Sequence, residues 1–199
     1  MADEVSRRLV HVTGATVPVA HLLRPDLITW RVVQGFLAVA LVVVVVLEAV
    51  RLTTGLDWVV YDRLTREYEQ DNPAGYALYI VGMAIVAFAV GLPGVTTDIA
   101  VPAMLMLAIG DPISGLLGSS DASNVKQAWV LLVMFGVCTL LASPFVSTAA
   151  AVLGGAAATF ADGVKPRIAG YVIDDNFSIP VLGALAMWVG VQYLPGLGL

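Results

Sequence analysis

The chain is short of charge, short of lysine and almost without cysteine. Charged residues are 13% of its 199 positions, about half the ~25% of an average soluble domain. The single cysteine, Cys138, lies in an apolar run, so neither a disulfide framework nor a cysteine-based metal site can form within one chain. Lysine occurs twice, at Lys126 and Lys165, against eight arginines. No Walker-type phosphate loop, kinase-type glycine-rich loop, Gly-x-Ser-x-Gly elbow or His-Glu-x-x-His pair is present. The most familiar nucleotide, serine-hydrolase and zinc-protease chemistries are thereby set aside. A net charge of -5 and a pI near 4.8 argue against nucleic acid as a partner.

What the chain has instead is apolar length. Hydrophobic residues make up 59% of it and the mean hydropathy is +0.89. Soluble chains are about 45–50% apolar. The expectation is therefore an all-α, polytopic helical membrane protein, with residues 1–199 forming one integral membrane domain. A bilayer core about 30 Å thick is crossed by about 20 helical residues. The apolar runs are residues 9–23, 32–50, 74–92, 96–118, 127–142, 146–161 and 178–194, about seven transmembrane helices. The second is the strongest, with five consecutive valines at 42–46, and the first is the weakest. The fourth is interrupted at Gly110-Asp111-Pro112, and Ser143-Pro144 divides the fifth from the sixth. The sixth, with Gly154, Gly155 and many alanines, has the small face of a closely packed central helix. Arg7 and Arg8 resemble the basic end of a secretory leader, but His11, Thr13, Gly14, Thr16, Pro18 and His21 make the stretch after them too polar for one.

Positive charge orients the chain. If all seven runs cross, Arg7, Arg8, Arg51, Arg63, Arg66, Lys126, Lys165 and Arg167 share one side, and Arg24 and Arg31 the other. That is eight against two; without the first crossing it is six against four. The positive-inside rule favours seven crossings and a cytoplasmic N-terminus. The polar clusters then collect on the cytoplasmic face of the cell membrane: residues 7–11, residues 63–69, Gly110-Asp111-Pro112, Asp174-Asp175-Asn176, and Asp162. Such a distribution suits an enzyme working at that face.

Each cluster has a plain and a chemical reading. Arg7, Arg8 and His11 share a helical face. They are either an interfacial anchor or a set of donors for phosphate oxygens, which the planar arginine fork matches. At Gly110-Asp111-Pro112 the chain is expected to break, with Asp111 capping a short new helix that begins at Pro112. A carboxylate at a break in a membrane helix marks a candidate site. Asp174, Asp175 and Asn176 offer hard oxygen ligands suited to Mg2+. They also stand at a helix start, where Asn176 or Ser178 is the expected cap. Cations, several carboxylates and a broken helix are what Mg2+-dependent chemistry on a nucleotide phosphate requires, since phosphoryl transfer rests on positioning and charge neutralisation.

These residues resemble the dolichol kinase and phytol kinase family of CTP-dependent polyprenol kinases, which is related to the phosphatidate cytidylyltransferases. The resemblance runs through four blocks in order. They are Arg7-Arg8-Leu9-Val10-His11; Gly75, Tyr79 and Gly82 within residues 66–82; Gly110-Asp111 followed by Gly118; and Asp174-Asp175-Asn176-Phe177-Ser178-Ile179-Pro180. The last block is the most specific. Asp162 falls where family members often carry glutamate. Where they continue after the Gly-Asp block with a basic turn and a Lys-(Ser/Thr)-x-Glu-Gly segment, this chain has the shorter residues 119–127, with Lys126 their only cation.

The resemblance implies a kinase that uses CTP and Mg2+ to phosphorylate the hydroxyl of an isoprenoid alcohol in the bilayer. It implies catalytic roles for Asp111, Asp175 and His11, and metal binding by Asp111, Asp174, Asp175 and Asp162. Nucleotide binding would fall to Arg7, Arg8, Arg66, Gly110, Gly118, Lys126 and Asn176. The base that takes the alcohol proton stays open between His11 and an aspartate, and the sequence is silent on oligomeric state. A cytidylyltransferase making a CDP-lipid, a glycerolipid kinase, and a transporter or scaffold with a decayed site are the alternatives.

Overall fold

The computed structural model describes residues 8, 10–54, 72–118, 126–164, 167–168, 171–172 and 174–194. They form an all-helical protein with one two-residue hairpin. A helical turn at 10–13 leads into α1 (Thr16–Leu23), followed by α2 (Trp30–Thr54) and α3 (Gly75–Ala89). Next comes the central helix: α4 (Thr97–Leu105), a π-helical turn (Met106–Gly110) and α5 (Asp111–Leu117). Then follow α6 (Ala128–Ala142), α7 (Thr148–Gly163), the strands β1 (Arg167–Ile168) and β2 (Tyr171–Val172), and α8 (Asp175–Tyr193). The strands are antiparallel, Arg167 opposite Val172. All seven apolar runs of the sequence fall on helices. By length and composition two helices, Trp30–Thr54 and Thr97–Leu117, are long and apolar enough to cross a membrane. The segments Val10–Leu23, Gly75–Ala89 and Ala128–Ala142 are shorter apolar helices.

Successive helical passes alternate in direction, so their ends gather at two poles. The contacts show this. Tyr79 near the start of α3 reaches His11 ahead of α1, and Arg51 at the end of α2 reaches the residues before α3. At the opposite pole Trp30 and Gln34 of α2 donate to the carbonyl of Ala87 at 3.1 and 3.0 Å, and Trp188 of α8 to that of Pro93 at 3.0 Å.

The central helix is the core. From Ile99 to Ala108 every residue is buried. An apolar helix covered on all sides is read from sequence as a core or membrane segment. α3, α6 and α8 pack on it, and α7 lies against α6 and α8. The inner faces are rich in small or flexible side chains, alanines, glycines and Met83, Met104, Met106, Met134 and Met187, packed with branched ones such as Leu37, Ile99, Leu107 and Ile179. A methyl group built on Gly190 of α8 would fall 2.5 Å from the Cα of Ala150, and one on Gly154 of α7 would fall 2.4 Å from Met187 Cγ. Only a bare backbone permits that α7–α8 approach, which bears out the small-faced reading of residues 146–161.

Many large apolar side chains also point outward. On α2 the seam Val33, Leu37, Val44 and Glu48 is buried, with α3 packed against the helix. Much of the rest of that helix is exposed, Val39 at 66% and Val42 at 64%. Leu132 and Leu140 of α6 are 70% and 73% exposed.

Candidate active site

The expected break at Gly110-Asp111-Pro112 does not occur. Asp111 is helical, with φ -61° and ψ -47°, and lies within the continuous helix and not at its start. The chain absorbs Pro112 by widening one turn, so that the Asp111 N–H bonds to the carbonyl of Met106 five residues back. The physical reason follows from proline. The carbonyl of Leu107 loses Asp111 as its partner, and the next nitrogen in line, Pro112, has no hydrogen. A buried carbonyl needs a donor, and His11 supplies it: Nε2 lies 3.1 Å from the Leu107 oxygen. Since a carbonyl only accepts, Nε2 carries the proton. π-turns of this kind are rare and often found at functional sites.

His11 is held on its other sides as well. Tyr79 packs edge-on against its ring with centroids 4.4 Å apart and donates its hydroxyl to the His11 carbonyl at 3.1 Å. The His11 Nε2 stands 3.7 Å from an Asp111 oxygen. Arg8 arrives one turn earlier. Its guanidinium lies over Gly115, where a methyl group would come within 3.1 Å of Cζ. Arg8 and His11 thus both meet the helix that carries Asp111.

Two further carboxylates join from other helices. Asp162 is near the end of α7 and Asp175 is the first residue of α8; both are buried. One oxygen from each of Asp111, Asp162 and Asp175 lies within 4.8 Å of the others. Asp175 sits at a helix N-terminus, where the backbone N–H groups favour negative charge. Asp162 sits near a C-terminus, where they do not, and it has its own cation. Lys126 Nζ donates to one Asp162 oxygen and, at 3.0 Å, to Ser114 Oγ. The Ser114 hydroxyl donates to the other Asp162 oxygen at 2.6 Å.

Asp174 has a different task from its neighbour. It is the N-cap of α8, in place of Asn176 or Ser178. Its Oδ1 accepts from the Asn176 backbone N–H at 2.9 Å and from the Asn176 amide at 2.6 Å. The Ser178 hydroxyl donates to its carbonyl at 3.1 Å. Asp, Asn and Ser cap about equally well; here Asp174 reaches the second N–H of the helix, and the Asn176 amide holds that cap. The carboxylates brought together are Asp111, Asp162 and Asp175. Gly110 faces α6, where a methyl group would stand 2.9 Å from Cys138 Sγ. Gly118 closes α5 through its N–H to the Ser114 carbonyl at 2.9 Å. Arg7 and Arg66, expected to bind phosphate, lie outside the described residues.

The donor set fits magnesium. Carboxylate oxygens are hard ligands, and around an ion holding them at 2.0–2.1 Å they stand at most about 4.2 Å apart. The three aspartates need only a small side-chain closure, and the half-buried Asp111 has room for it.

Several participants escaped the sequence reading. Ser114 is three residues from Asp111, so it shares a helical face, and that spacing could have found it. Gly115 follows the same logic at four residues. The Gly75, Tyr79, Gly82 block has a physical meaning too. Tyr79 fixes His11, and a methyl group on Gly82 would fall 2.8 Å from the backbone oxygen of Asn176. α3 therefore holds both His11 and the first turn of α8.

Compared with protein-family models, curated proteins and solved structures, the chain gives no match.

Proposed function

We propose that this chain is an integral membrane lipid kinase, which transfers phosphate from CTP to the hydroxyl of an isoprenoid alcohol at the cytoplasmic face with Mg2+ as cofactor. The observation that carries the reading is the meeting of Asp111, Asp162 and Asp175 from three separate helices beside Arg8 and His11. Among these, Asp111, Asp175, Arg8 and His11 stand in the sequence blocks that resemble polyprenol kinases.

A membrane setting is supported by the distribution of side chains. Many alanines, glycines and methionines line the inside, and many valines and leucines are exposed outside, as suits a bundle in lipid. A large exposed apolar surface marks a place where a membrane or another protein is met. With seven crossings and the N-terminus in the cytoplasm, the carboxylate pole faces the cytoplasm, where CTP is found.

Magnesium held by the carboxylates would neutralise charge on the phosphate oxygens. Arg8 and Lys126 are the described cations that would bind phosphate. Because the His11 Nε2 proton is engaged by Leu107, that nitrogen is not the base, which leaves the task to His11 Nδ1 or to an aspartate. His11 also positions Asp111. The hydrocarbon tail stays in the bilayer.

The test is a labelling pair on purified protein with Mg2+ and a panel of lipids. Label from the γ-phosphate of CTP is expected in isoprenoid alcohol. Label from the α-phosphate entering lipid instead identifies a cytidylyltransferase. γ-label appearing only in diacyl or diether glycerol identifies a glycerolipid kinase, and no transfer to any lipid favours a transporter or scaffold.

A further inference from the structure

Lys126 contacts the carboxylate cluster in a way that the proposed kinase chemistry leaves unexplained. Its ammonium reaches past the start of α6 to Asp162, the most buried of the three carboxylates, and to Ser114, which itself holds the second Asp162 oxygen. A buried carboxylate near a helix C-terminus needs a cation. A lysine is suited to give one up, since its charge rides on a flexible four-carbon stem and can move without the backbone. The same Asp162 oxygens are those a divalent ion would use together with Asp111 and Asp175. One carboxylate cannot serve both at full strength, and two cations at that spacing repel.

We propose that Lys126 is an exchangeable counter-ion: a divalent metal displaces it from Asp162, and the released ammonium turns to the phosphates of the nucleotide. Metal binding then arms the cation that holds the donor, so metal precedes nucleotide. This rests on the metal site of the proposed kinase and adds to it a coupling between metal and Lys126. Because such coupling is reciprocal, removing Lys126 tightens metal binding, and metal frees Lys126.

The chain has two lysines, Lys126 and Lys165, which makes a direct measurement practical. Purified full-length protein is treated with an amine-reactive ester with and without Mn2+, and modification at each lysine is read by mass spectrometry. Mn2+ is expected to raise modification of Lys126 about tenfold relative to Lys165. In parallel, Mn2+ affinity is measured by the electron paramagnetic resonance of the free ion. Lys126→Met is expected to bind Mn2+ about tenfold more tightly than wild type. Lys126→Arg, whose fork grips a carboxylate with two parallel bonds, is expected to bind it more weakly. The arginine variant keeps the charge on Asp162 and so serves as the test if the methionine variant does not fold. Bound Mn2+ with unchanged Lys126 modification, or equal Mn2+ affinity in wild type and the arginine variant, overturns the exchange and leaves the metal site standing. Absence of Mn2+ binding by wild type, or undiminished binding in Asp111→Asn, overturns the metal site itself.

Discussion

Two buried polar clusters lie at the same pole of the bundle, and they are built on opposite plans. At the end of α2, one carboxylate, Glu48, is surrounded by donors. Arg51 approaches both its oxygens at 3.0 and 2.7 Å, Ala74 donates its backbone N–H at 3.1 Å, and the Tyr76 hydroxyl completes the set. At the junction of α5, α7 and α8, three carboxylates are pushed within 4.8 Å of one another. In the first cluster one carboxylate is ringed by donors that tie one helix to the start of the next. The second gathers three carboxylates from three helices, with Lys126, Ser114 and His11 among the groups that meet them. Burial of charge does not distinguish the two clusters; the number of carboxylates brought together does.

The comparison can be broken most sharply at the aspartates. Asp111→Asn and Asp175→Asn are each expected to lower γ-phosphate transfer by about 10²- to 10³-fold, with thermal unfolding near that of wild type, since each keeps the shape of the side chain. Wild-type rates in both variants would falsify the assignment. Glu48→Ala is the mirror experiment. It removes the acceptor shared by Arg51, Ala74 and Tyr76 and is expected to cost about 3 kcal/mol of stability, read as a lowered melting temperature, while transfer per folded molecule stays at the wild-type value. If activity falls before stability does, the Glu48 cluster belongs to the site after all.

Gly82→Ala tests the connection between the two clusters through α3. The added methyl presses on Asn176, and the expected result is a loss of about 1–3 kcal/mol together with about a tenfold fall in rate, because Asp175 begins the displaced turn. The smallest effect is expected at the opposite pole. The exposed Arg24 guanidinium beside Asp26, with contacts at 3.0 and 3.2 Å, holds that carboxyl below its ordinary value. A depressed carboxyl adds stability above its unfolded value and loses it as pH falls through the folded one. Surface pairs contribute little, so Asp26→Asn is expected to leave the melting temperature unchanged at neutral pH and to narrow only its drop in acid.

The sequence made the helices legible because apolar runs need only counting, and all seven runs found a helix. It made the aspartates legible because carboxylates beside apolar stretches are expensive and therefore conspicuous. The π-turn was not legible. Gly-Asp-Pro reads as a stop in local chemistry, and only the packing of α6 on Gly110 and the donor offered by His11 make it cheaper to widen the helix than to end it. The α8 cap was misread for a related reason. Three adjacent residues can all cap, and the outcome depended on which amide reached which oxygen. Tyr79 was recognised as part of a spacing without a task, since its partner His11 lies 68 residues away. Arg7 and Arg66, which the sequence reading expects to bind phosphate, lie outside the described residues.

The widened turn at Met106–Gly110 has one more consequence. A π-turn is how a helix houses a surplus residue while what precedes and follows it keeps its facing. The central helix is thus one residue longer there than a regular path needs, which marks a position where the chain tolerates a change of length. Removing residue 108 or 109 would leave α4 and Asp111 in their present directions, yet the Leu107 carbonyl would still face the Pro112 nitrogen, which has no hydrogen. The acceptor that His11 uses is thus set by the proline, and the mooring of the first helical turn to the carboxylates with it. The alignment of two distant parts of the chain therefore hangs on a single missing hydrogen.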